Sequence, residues 1–80
     1  MSERDIILTA VVLRAKGQFA DAIQLLNDNW SLFSEDFLPV AIREKFYAAV
    51  EAGDRITAGK LAQKIAEEDP HLPSIQPYLR

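Results

Sequence analysis

Cysteine is absent from the chain, which excludes disulfides and thiolate metal sites as sources of stability. Histidine occurs once, at His71 between Pro70 and Leu72, and nothing nearby can complete a metal site with it, so it reads as a solvated loop residue. Glycine is scarce. Gly17 and Gly53 stand alone, with no glycine-rich phosphate loop and no following Lys-Ser/Thr pair. No serine has a base placed beside it, and the consecutive acids Glu67, Glu68 and Asp69 fan out around a helix instead of converging. These gaps argue against an enzyme and leave no catalytic, cofactor-binding or metal-binding residue to name. A small-molecule substrate is not expected either.

Long apolar runs are also missing. The longest candidate, "IILTAVVL" from Ile6 to Leu13, is too short to span a bilayer. Glu3, Arg4 and Asp5 precede it, net negative where a secretory signal carries positive charge. A cytoplasmic protein is the expectation, and the glycosylation-like triplet Asn29-Trp30-Ser31 is then fortuitous. A basic surface is lacking as well. The net charge is −3 and the nine basic residues are dispersed among twelve acidic ones, which argues against nucleic acid and anionic membrane as partners.

What remains is helix. Hydrophobic residues make up 49% of the 80-residue chain, enough for one domain whose stability rests on apolar burial. No segment alternates with period two. Ser2 and Asp5 form a start like a capping box for a first helix running to about Lys16, with Gly17 closing it. A second helix is expected over about 19–27, where Phe19, Ala22, Ile23, Leu25, Leu26 and Trp30 keep helical spacing. "SLFSED" then connects to a third helix capped by Asp36, with Pro39 at its third position, running to about Ala52 and ending at Gly53. Asp54 caps a fourth helix reaching Glu68, which Pro70 stops. The proline-rich tail "HLPSIQPYLR" is expected to make a turn or two at most.

The chain therefore divides into two helical hairpins, over about 3–30 and 36–69, with a tail over 70–80. "GQFADAIQLLNDN" and "GDRITAGKLAQKI" align with their glycines 36 residues apart, placing Ala22 on Ala58 and Leu25 on Leu61. Two hairpins repeating at such a period suit an α-solenoid, and equally two unrelated hairpins in a four-helix bundle.

The stretches "GQFADAI" and "GD…A…EEDP" resemble the second halves of tetratricopeptide repeats. In that register the inter-helix turns are Gly17 with Phe19 and Gly53 with Asp54. The small packing residues are Ala10, Ala22 and Ala58, and Pro70 closes the second repeat. The chain departs from the pattern at Ser34, Lys45, Phe46 and Arg55, and its offset exceeds the usual repeat of about 34 residues. The resemblance implies an all-α fold, a right-handed stack of two hairpins, and a groove lined by the first helix of each. Arg4, Ile7, Leu8, Val11 and Arg14 would face it from one repeat, and Val40, Arg43, Glu44, Tyr47 and Glu51 from the other. Lys and Asn clamp a C-terminal carboxylate in some members; Ile7, Val11 and Tyr47 stand in their place here.

The function expected is a small protein-interaction module that associates with itself, as a homodimer, or binds a partner helix. The residues that would carry it are Arg4, Ile7, Leu8, Val11, Arg14, Arg43 and Tyr47. The alternative is a structural or regulatory subunit of a larger assembly. One oddity bears on both. The first helix is apolar almost all round, yet it would be an edge element, so a second chain, a compact single-chain packing or the tail must cover it.

Overall fold

The structure, a computed structural model, describes residues 1–79. Within them the chain is all-helical: α1 Glu3–Ala15, α2 Phe19–Asp28, α3 Leu38–Glu51 and α4 Arg55–Ala66, with 3₁₀ turns at Trp30–Leu32 and Pro73–Tyr78. No helix is long and apolar enough to cross a membrane among the described residues.

The two hairpins close in the same way. Lys16 and Ala52 end their helices, and the residues that follow, Gly17 and Gly53, have φ of +79° and +77°. At the first turn, the Gln18 N–H donates to the Leu13 carbonyl at 2.8 Å and the Gly17 N–H to that of Arg14 at 3.0 Å. At the second, Asp54 donates to Ala49 at 2.9 Å and Gly53 to Val50 at 3.1 Å. This paired closure requires a left-handed residue just past the helix, where a β-carbon is penalised. A β-carbon built on Gly53 would meet no atom within 4 Å, so substitution there is opposed by backbone conformation alone. Gly53→Val should therefore lower stability by roughly 1–2 kcal/mol, and Gly53→Asn by less because asparagine tolerates the left-handed region. Urea melts of the two variants check the order; a valine variant as stable as the parent contradicts it.

Local chemistry starts α1 and α4. The Ser2 Oγ accepts from the Asp5 N–H at 3.2 Å, and the Asp54 carboxylate accepts from the Thr57 N–H at 3.1 Å. The bonds from Thr57 hold the Asp54 carboxyl below its usual range, as expected when the charged form caps a helix. The third helix begins differently from expectation. Asp36 does not cap it; Phe37 precedes it in helical conformation, with no side-chain cap. The Leu38 N–H donates instead to the Ser34 carbonyl at 2.8 Å, so a turn over 34–37 feeds straight into the helix and Pro39 falls at its second position. Ser34 is itself fixed from the other side, where its N–H and hydroxyl donate to the Glu3 carboxylate at the start of α1.

The core has two centres. Ile6, Ile7, Ala10, Ala22, Leu26, Phe33, Ala41 and Ala48 form one; Ile42, Phe46, Ala49, Ala58, Leu61, Ala62, Ile65 and Ile75 form the other. Ile23, Trp30 and Leu38 pack against both and make them continuous. Trp30 lies outside α2, in the 3₁₀ turn, with Phe33 edge-on at 5.9 Å and the Lys45 ammonium 5.0 Å from its ring centre. Ala22 and Ala58, the two positions matched across the glycine alignment, are both fully buried. Packing follows the chain: α1 on α2, α2 on α3 and α3 on α4, with α1 also touching α3.

The tail makes the two turns expected of it, but it is packed where no local pattern indicates. α4 stops at Ala66, earlier than expected, and the Glu68 and Asp69 N–H groups both close on the Ile65 carbonyl just ahead of Pro70, which cannot continue the helix. The chain then turns back as a six-residue 3₁₀ segment with Ile75 fully buried. The Gln76 amide secures the turn by donating to the Pro70 and Leu72 carbonyls at 2.8 and 3.1 Å. Tyr78 stands edge-on to Phe46 at 5.5 Å. This segment covers hairpin two, not the first helix.

Candidate functional site

The residues assigned to a groove on α1 and α3 separate into three places. Arg14 and Tyr47 come together. The Arg14 Nε donates to the Glu44 Oε1 at 2.5 Å and its Nη1 to the Glu51 Oε1 at 3.1 Å, while its guanidinium lies 5.4 Å from the Tyr47 ring centre. Glu44 is the one buried charged residue among those described, and Arg14 is the reason it can be there. The hydrogen bond to Glu44 holds the arginine pKa above its ordinary value. Here the α1–α3 junction is filled by contacts of the chain with itself.

Arg43 belongs to a second place. It pairs with Asp69 at 3.6 Å beside a cleft of about 450 Å³, floored by Leu38, Pro39, Ile42 and Ile65 where α3 begins and α4 ends. Acidic Glu35, Glu67 and Glu68 share the rim with Arg43 and Lys64. The pairing accounts for Asp69, an acid at the negative end of α4.

The third place is α1 itself. Ile7 is only 7% exposed and packs in its own chain's core, beside Ile6 and Ala10. Its own chain therefore covers Ile7, one of the residues expected to meet a partner. Val11 is half-buried and Arg4 exposed. Leu8, by contrast, is 51% exposed and Val12 50%. These two, with Met1, Asp5 and Thr9, line a shallow depression of about 440 Å³ on the side of α1 away from the core. Val12 was not among the expected residues. Helical phase could have found it, because it lies one turn beyond Leu8 and out of phase with Ile6 and Ala10.

Scans of protein-family models, of curated proteins and of solved structures found no match to this chain. Among the described residues, no group of three or more His, Cys, Asp or Glu is placed to hold a metal ion.

Proposed function

We propose that the chain is a small, non-enzymatic protein-interaction module of tetratricopeptide-like design. In this reading its two hairpins stack as successive solenoid repeats, and the outer face of α1 receives an amphipathic helix. The observation that carries it is the exposure of Leu8 and Val12, one helical turn apart, opposite the buried Ile6, Ile7 and Ala10. Side chains spaced by one turn are what a helix-in-groove or helix-on-helix contact uses as anchors. The Arg14–Glu44–Tyr47 junction supports the choice of face, because its charges already satisfy one another and offer little to a ligand.

The test is Leu8→Glu with Val12→Glu, followed by amide NMR and thermal melting. A stapled 16-residue amphipathic peptide, leucine on one stripe and mixed Glu and Lys elsewhere, serves as probe. With the parent chain, shift changes should centre on Leu8, Thr9 and Val12. The double variant should lose them while its stability stays within about 0.5 kcal/mol of the parent, as expected for surface changes. Shift changes confined to the Arg14–Tyr47 junction, or none at millimolar peptide, reject the assignment.

A further inference from the structure

The outer face of α1 combines an apolar centre with charged ends. Met1, Asp5, Leu8, Val12 and Lys16 lie within an arc of about 80° when the chain is wound at 100° per residue. The stripe is acidic at the helix N-terminal end, apolar in the middle and basic at the C-terminal end. All five residues are exposed, and neither Asp5 nor Lys16 has an ion-pair partner among the described residues. Such a stripe is its own complement when reversed.

Resting on the reading of α1 as a docking face, we infer that its occupant is a second copy of this chain, with α1 packed antiparallel on α1 across a twofold axis near residue 10. A twofold contact is self-complementary: if one residue faces another, the second faces the first across the axis. Leu8 and Val12 lie equally far from residue 10, so each Leu8 meets the Val12 of the second copy and the reverse. Asp5 and Lys16 lie five and six residues from it, a mismatch of about 1.5 Å that a lysine side chain absorbs. The Asp5–Lys16 ion pair then forms twice, once at each end of the apolar stretch. A parallel arrangement would set Asp5 against Asp5 and Lys16 against Lys16. Antiparallel packing also opposes the helix dipoles favourably.

Area sets the strength. α1 has 13 residues and is about 20 Å long, and one face of it covers much less than the roughly 800 Å² per partner of a standard stable interface. The dimer is therefore weak and reversible, with a dissociation constant on the order of 10–1,000 µM.

The test is a charge swap read by sedimentation equilibrium from micromolar to millimolar chain. Asp5→Lys and Lys16→Glu each turn two attractions into two repulsions, and each should weaken self-association by about three- to tenfold. Both positions are exposed, and circular dichroism verifies that each variant folds. Mixed one to one, the variants should associate with each other about as strongly as the parent does with itself. The lysine introduced at position 5 of one chain would then face the glutamate introduced at position 16 of the other, while the original Asp5–Lys16 pair forms at the opposite end. Raising salt should shrink all these differences. A mixture no stronger than either variant alone overturns the antiparallel register. A parent that stays monomeric at millimolar concentration, while the stapled peptide still shifts Leu8 and Val12, overturns the second copy and spares the docking face. If neither association nor peptide shifts occur, both readings fall.

Discussion

Ile75→Ala should lower the unfolding free energy by about 3 kcal/mol, in the lower half of the range for removing a large aliphatic side chain from a core. Ile75 is fully buried among residues of α3 and α4, including Phe46, Leu61 and Ile65. The value stays below the maximum because the short 3₁₀ segment carrying it can partly collapse into the space. For a domain of this size, whose total stability is roughly 4–12 kcal/mol, that loss is severe. The midpoint of thermal unfolding should fall by roughly 12–24 °C. Gln76→Ala, which removes only the two bonds securing the turn, should cost about 1 kcal/mol or less because Gln76 is exposed. Urea and thermal melts of both variants make the measurement. An Ile75→Ala chain melting within a degree or two of the parent would mean that the terminal segment is not packed on hairpin two.

The packing of that segment is not legible in the sequence. Gly17 and Gly53 revealed the hairpins because only a left-handed residue closes a helix in that way, and such a requirement is local. Ser2 and Asp54 were legible for the same reason. The stretch over 70–80 holds three prolines, which argue locally against structure, whereas what fixes Ile75 is burial against residues far away in the chain. No local pattern reports that. α1 failed differently. Counting its apolar residues suggested burial on every side, but Ile6, Ile7 and Ala10 face inward while Leu8 and Val12 do not. Composition cannot assign that phase; knowing one buried residue does. The start of α3 misled because Asp36 is a good capping residue in a place where the backbone was already helical. Of the groove residues, Arg14 and Tyr47 do meet across α1 and α3, but with Glu44 and Glu51 as ionic partners 30 and 37 residues away, which spacing alone does not reveal.

The Arg14–Glu44 pair gives the other large effect. Arg14→Met leaves the Glu44 carboxylate, only 8% exposed at its side chain, without its counter-ion. Stranding one partner of a buried pair usually costs about 3–5 kcal/mol, but the Arg14 side chain is 24% exposed, so water can enter and the loss should be nearer 2 kcal/mol. Glu51 gains nothing to offset this, since it also loses the arginine. Adding Glu44→Leu to Arg14→Met should recover most of the loss, because two apolar side chains of similar volume remove the stranded charge and pack where the pair was. A double-mutant cycle by urea unfolding measures the coupling between them. Independent, additive losses would show that the carboxylate was never dependent on Arg14. The same double variant separates the two faces of α1. Arg14 points to α3 while Leu8 and Val12 point away from the core, so replacing the ion pair should leave concentration-dependent association unchanged. If association disappeared together with the ion pair, in a chain that still folds, the α1–α3 junction rather than the outer face would be the surface that meets a partner.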